Sequence, residues 1–231
     1  MMKNQSFDSI KPDRSKAIMI AKRELSTFVY DAVQLEGINL TLPEVQTLLE
    51  GVTVGGHKLN DQQIAINQGA AWRMLFADIE AEKFTVAANY AKNLHAVAAK
   101  EEALEWGDFR SGGVTIAGTD YVPPAAALLP DLFISMVATM KTIEDSYDQA
   151  IFIFLAMSRN QFFYDVNKRM GRFMMNGILL AAGYPAINVP VKRKQEFNQL
   201  MLDFYSSNKP DSLNLFLRSC LDPRVIQIMS E

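Results

Sequence analysis

Gln161-Phe162-Phe163-Tyr164-Asp165-Val166-Asn167-Lys168-Arg169-Met170-Gly171-Arg172 follows directly on the most apolar run of the chain, Ala150 to Met157. A polar loop here runs into a basic helix start. Asn167 reads as a helix N-cap, which leaves the backbone N–H groups of Lys168, Arg169 and Met170 pointing out of a helix end that favours negative charge. Arg169 and Arg172, three apart, share one helical face. Asp165 precedes the cap, where a carboxylate can hold Mg2+ against the phosphates that the two guanidinium forks would bind. Singly, each residue also has an ordinary role: a cap, a dipole partner, two solvated arginines paired to acids elsewhere. Jointly they have the parts of a nucleotide site.

Outward from this stretch the pattern is helical. Ala150 to Met157 is apolar on every face, as in a short central helix buried by its neighbours. Phe173, Met174, Ile178 and Leu179 pack the helix that begins at Asn167, and Gly183 caps it. Further helices are marked by Phe197, Leu200, Met201 and Phe204, and last by Leu213, Phe216, Leu217 and Cys220. Upstream, Ile18, Ala21, Leu25, Phe28, Ala32 and Leu35 follow three-four spacing, predicting one long amphipathic helix that ends at Gly37, a natural left-handed cap. Thr41-Leu42-Pro43-Glu44 reads as a capping box with proline in the first turn. Asn60 to Gln63 opens a helix carrying Ile64, Trp72, Leu75 and Phe76, and Phe84 to Ala98 opens another. His95 lies beside the stripe of that helix and reads as a packed, satisfied residue. Pro130 to Met140 is helical again. One stretch departs from this: Val114 and Ile116 alternate with Thr115 and Ala117, Gly118 can turn, and Pro123-Pro124 ends the excursion, so a short β-hairpin is expected. The fold class is mostly α.

The chain has 231 residues, 49% hydrophobic and 21% charged, with a formal charge of −3 and a pI of about 5.5. It is long enough to bury a core as one domain over 1–231, with 1–50 as an N-terminal helical arm. Nothing in the charge suggests nucleic acid, and no stretch approaches the ~20 apolar residues of a membrane span. Met1 to Asp13 is polar and lacks the apolar region of a signal peptide, so a cytoplasmic protein is expected. The single cysteine, Cys220, excludes an intramolecular disulfide and reads as a small core residue. With His57 and His95 as the only histidines, a zinc site is not expected.

Taken together, the loop residues resemble the Fic/Doc (Fido) family, whose signature runs His-x-Phe-x-Asp/Glu-Gly-Asn-Gly/Lys-Arg-x-x-Arg. Phe163, Asp165, Asn167, Lys168, Arg169 and Arg172 fit it. Gln161 stands where the family has its catalytic histidine, and Val166 where it usually has a small residue. The resemblance extends from about Leu25 to Cys220. Ala32-Val33-Gln34-Leu35-Glu36-Gly37 resembles the family's inhibitory helix motif, Ser/Thr-x-x-x-Glu-Gly/Asn, with Ala32 in place of the hydroxyl residue. The words Leu42-Pro43-Glu44-Val45 and Leu48-Leu49-Glu50-Gly51 that come after it resemble those of bacterial Fic proteins carrying this helix N-terminally.

The resemblance implies a Fic-type helical bundle in which a hairpin flap, Thr115, Ile116, Ala117, Gly118, Thr119, Asp120 and Tyr121, docks an extended target segment by main-chain pairing. It implies ATP with Mg2+ as ligand and transfer of AMP to a target hydroxyl, which the histidine deprotonates as that oxygen attacks the α-phosphate. It also implies that Glu36 pairs with Arg172 and blocks the γ-phosphate. Glutamine cannot take the proton, and general-base catalysis is worth roughly 10²–10⁴-fold, about 3–5 kcal/mol. Three readings stand: a slow AMP transferase, with Glu36 a possible substitute base; an inactive protein that binds nucleotide and partner; an interaction protein with a relic loop. Oligomeric state is open, a homo-oligomer included.

Overall fold

The computed structural model of the protein describes residues 9–231, so part of the polar start lies outside the described residues. The described residues form eleven α-helices: α1 (Arg14–Arg23), α2 (Leu25–Leu35), α3 (Leu42–Leu49), α4 (Leu59–Glu80), α5 (Ala88–Ala98), α6 (Leu129–Met140), α7 (Ser146–Asn160), α8 (Asn167–Ala181), α9 (Lys194–Ser207), α10 (Asp211–Arg218) and α11 (Pro223–Ser230). Single turns of 3-10 helix lead into α6 and α9. The fold is mostly α, as the periodicity predicts.

The centre is the pair α7 and α8, the most extensively packed helices of the fold. Ala150, Ile153, Phe154 and Met157 of α7 are wholly buried, and so are Met170, Met174, Met175 and Leu179 of α8. Gly171 permits the close approach, since a Cβ there would lie 2.9 Å from the carbonyl oxygen of Phe154. Around this pair α4 and α5 pack on α8, α6 and α10 on α7, and α2 on α4. No helix of the described residues is long and apolar enough to cross a membrane.

Four local expectations need correction. The helix predicted over Ile18–Leu35 is two, divided at Glu24, although Glu24 N still donates to Ile20 O and its carbonyl accepts from Phe28 N. The halves part because α1 packs on α8 and α11 while α2 packs on α3 and α4. The helix expected from Phe84 begins only at Ala88; the Phe84 ring packs over Gly177 instead. A final helix, α11, follows the one ending near Cys220; the Asp222 carboxylate caps it by accepting from Arg224 N. Cys220 itself lies just past α10, half-buried, and burial pushes its thiol up to about 11.

The hairpin is the fourth. Residues 113–116 have no regular secondary structure and 117–118 turn, so no strand forms, and no backbone hydrogen bond joins the two limbs among the described residues. Arg110 explains what holds the segment instead. This buried guanidinium donates to Gly112 O and Pro124 O, at the two ends of the excursion, and to Gln161 O at the end of α7. Side chains fix the segment, so a ladder is dispensable.

The end of α2 aims a carboxylate at the head of α8. Gly37, at φ 88, donates to Gln34 O at 3.1 Å while Ile38 N donates to Val33 O at 3.0 Å. This is a Schellman closure, with Ile38 buried beneath it. It sets Glu36 at the helix cap, one residue beyond α2.

Candidate functional site

A cleft of about 430 Å³ opens between the end of α2, the 115–117 limb, α9, and the loop that joins α7 to α8. The loop is built from aromatic anchors and one amide. Phe162 and Phe163 are wholly buried, and Phe163 stacks on His95 with centroids 3.9 Å apart. His95 Nδ1 accepts from Gly107 N, which leaves its proton on Nε2 to donate to Asp165 O at 3.3 Å. Burial draws the His95 pKa down to about 4, so the ring is neutral near pH 7 and serves as packing and support.

Asn167 is the first residue of α8, not its cap. The cap position belongs to Val166, left-handed at φ 63 and ψ 9. Asn167 is drawn inward because its carboxamide satisfies both backbone groups of Phe163, accepting from N at 2.9 Å and donating to O at 2.7 Å. A third bond goes from Asn167 Nδ2 to Gln161 Oε1, at 3.0 Å. It is a clamp on the loop. A left-handed non-glycine residue costs on the order of 1–3 kcal/mol, and Val166 is held there by burial, by Asp165 Oδ1 accepting from its N–H at 2.6 Å, and by the first bond of α8, Met170 N to Val166 O.

Gln161 closes α7 in a left-handed turn, with φ 50 and ψ 63. Its Nε2 donates to Ser158 O at 2.5 Å while Oε1 takes the Asn167 bond. Both ends of the amide are spent inside the loop. The residue faces the cleft and has no basic atom to offer.

At the head of α8, Glu36 meets three cations: Arg172 Nη2 at 3.4 Å, Lys168 Nζ at 3.8 Å and Arg169 Nε at 3.9 Å. Its side chain is 24% exposed and forms part of the cleft wall. Burial works to raise the Glu36 pKa, but Lys168, Arg169, Arg172 and Lys194 together outweigh it and hold the carboxyl below its ordinary value. Arg172 lies behind Glu36, outside the cleft wall, beside a void of about 20 Å³ that Ala32 and Gln68 also line. Burial pulls Arg172 down to about 10, against the pull of Glu36, and leaves it cationic at pH 7.

Thus Glu36, Gln161, Asp165, Asn167, Lys168 and Arg169 come together around one cleft, with Thr115, Ile116 and Ala117 on its other side. The return limb faces elsewhere. Tyr121 lies under the Arg159 guanidinium and parallel to the ring of Tyr205, and Thr119 Oγ1 meets Ser206 Oγ at 3.4 Å. Gly118 lies over Leu202, and Asp120 belongs to the same outer limb. For a metal, no group of three acidic, histidine or cysteine side chains occurs among the described residues. Asp165 is a single exposed carboxylate whose Oδ1 is engaged by Val166 N. That donor set fits a Mg2+ completed by ligand oxygens and water, not a cage of protein groups.

Two contributors escape the sequence pattern. Glu102 grips Arg169 by both Nη atoms, Nη1 to Oε2 at 2.8 Å and Nη2 to Oε1, from a position that no local pattern marks. Arg110 bonds only carbonyl oxygens, and no spacing announces such partners.

Residues 85–179 match the family model described as Fic/DOC. The curated protein adenylyltransferase Fic of Drosophila persimilis is 23% identical over 259 residues, covering 98% of this chain and 50% of that protein. That of Drosophila willistoni is 24% identical over 195 residues, covering 80% and 38%. The chain therefore spans about half the length, or less, of these relatives. Among solved structures, a Fic domain containing signaling protein from Bacteroides thetaiotaomicron superposes at a TM-score of 0.77 with 18% identity, covering 96% of this chain and 91% of that one. Fic-1 from C. elegans superposes at 0.73, also with 18% identity, covering 99% and 65%. The chain is thus similar in sequence to the Fic/DOC family over residues 85–179, and it shares the fold of these Fic structures nearly end to end.

Proposed function

We propose that the cleft binds ATP or a related nucleotide with Mg2+, and that the protein descends from protein AMP transferases whose chemistry Gln161 has weakened or ended. One observation carries this reading: the chain's own carboxylate, Glu36, sits against Lys168, Arg169 and Arg172 at the head of α8. An anion therefore already occupies the place where the helix end and three cations would hold phosphate. While it does, those cations cannot also grip a nucleotide.

In the transfer reaction a target hydroxyl attacks the α-phosphate and pyrophosphate leaves. Lys168, Arg169 and Arg172 would neutralise and orient the phosphates, and the 115–117 limb, with no ladder partner of its own among the described residues, would lend its backbone to an extended target segment. Mg2+ on Asp165 would draw charge from the phosphate oxygens. Proton removal has no agent in Gln161, whose amide is bound at both ends. That last geometry favours a second reading, a protein that binds nucleotide and partner without transfer.

Calorimetric titration with MgATP tests the binding half. Glu36→Gly should bind at least roughly tenfold more tightly than wild type, the size of one charged contact removed from competition. Absence of ATP, ADP and AMP binding in both proteins contradicts the proposal and leaves the relic loop, which in turn requires that Arg169→Ala and Arg172→Ala leave partner capture unchanged.

A further inference from the structure

Two carboxylates meet the cations at the head of α8, and their geometries differ in kind. Glu36 stands in the cleft wall, a quarter exposed, at 3.4 to 3.9 Å from its three partners. Glu102 is absent from that wall, its side chain is 11% exposed, and it takes the fork of Arg169 through both Nη atoms. The Arg169 side chain is only 4% exposed. With the fork occupied, its remaining edge is Nε, which is buried, makes no hydrogen bond, and lies 3.9 Å from Glu36 Oε1.

Glu102 is itself held. Its N–H donates to Ala99 O, and Glu101 before it adopts a left-handed φ of 60. Lys100 O accepts from Asn67 Nδ2 at 2.8 Å, and Asn67 Oδ1 accepts from Gln63 Nε2 at 2.9 Å. Asn67 is buried on α4, which packs against α5 and α8. The turn that carries Lys100 and Glu102 is thus tied to α4 on one side and to Arg169 on the other.

We infer that Glu102 is a positioning residue for phosphate recognition: it fixes the Arg169 guanidinium by its fork, so that the Nε edge faces the anion position now taken by Glu36. Glu36 is the removable anion and Glu102 the permanent one. A loose, partly exposed carboxylate is readily displaced, whereas removing one member of a buried bidentate pair leaves an uncompensated charge that reorients or draws in water. The two substitutions therefore act in opposite directions on the same ligand. The inference rests on the nucleotide reading of this cleft.

The test uses the full chain in the Glu36→Gly background, titrated with MgATP and with adenosine. Glu102→Gln should weaken ATP binding roughly tenfold, the size of one charged hydrogen bond, and leave adenosine binding within about twofold. Glu102→Asp, which keeps the charge on a shorter arm, should recover part of the loss and guards against a Gln variant that fails to fold. Tighter ATP binding in Glu102→Gln would make Glu102 a second plug and overturn the inference, as would equal losses for ATP and adenosine, the mark of a purely structural role. If the Glu36→Gly parent binds no ATP, the nucleotide reading falls and carries this one with it; if the parent binds and Glu102→Gln is unchanged, only this inference falls.

Discussion

Ala32 and Gln68 face the same void of about 20 Å³ beside Arg172, and Gln68 Nε2 is buried with no hydrogen-bond partner. A hydroxyl at position 32 would meet an orphaned donor. Ala32→Ser should therefore gain about 1 kcal/mol from that bond, less roughly 0.5 kcal/mol of helix propensity, and raise the urea midpoint slightly. Because Ala32 lies one turn before Glu36, on the proposed function the variant should also weaken MgATP binding by steadying that carboxylate; a lower midpoint or tighter binding would contradict this. Among single residues, Glu36 lies 3.4 Å from Arg172, a contact between residues 136 apart that only the family resemblance implied and no local spacing could place. Reading Asn167 as a cap fails, since nothing local says that an amide will turn inward to close a loop on Phe163. Glu102 was invisible because it belongs to no motif or apolar stripe, and its partner is 67 residues away.

Helices α7 and α8 touch through Gly171, where an added Cβ would meet Phe154 O at 2.9 Å and Phe154 Cα at 3.3 Å. Those are backbone atoms and cannot swing aside. Gly171→Ala should cost about 1–3 kcal/mol by forcing the two helices apart, read as a lower urea midpoint with an unchanged slope. Thr41→Ala should cost about 1 kcal/mol, since it removes the hydroxyl of a capping box in which Thr41 accepts from Glu44 N and Glu44 accepts from Thr41 N. Elements with such chemistry at their ends were legible: the α2 stop at Gly37, the α3 start at Thr41, the α8 stop at Gly183. The break at Glu24 was not, because the apolar stripe runs through it and only tertiary packing separates α1 from α2. The missing hairpin has a related cause: alternation from Val114 to Ala117 does predict extended backbone, but Arg110, not a partner strand, satisfies the segment's ends.

Across the whole molecule, the loop, the segment around Gly107 and the core share one titratable anchor. His95 is wholly buried and stays neutral in the fold down to about pH 4, whereas the unfolded chain takes up a proton near its usual 6.5. Its contribution is fully present above pH 6.5 and is lost as pH falls toward 4, by as much as about 3 kcal/mol. Urea unfolding at pH 7 and pH 4.5 measures it, and His95→Gln, which can still accept from Gly107 N and donate to Asp165 O, should flatten that dependence. Glu36, with its lowered pKa, adds a loss only at pH below the ordinary glutamate range. On the proposed function, the molecule is an intact phosphate site that lacks one proton acceptor. The decisive comparison is transfer of label from α-labelled ATP with Mg2+ to lysate proteins, by Glu36→Gly and by Glu36→Gly with Gln161→His. We predict labelling roughly 10²–10⁴-fold higher once histidine is present; equal labelling by the two proteins, or none by either despite bound ATP, would contradict the proposal.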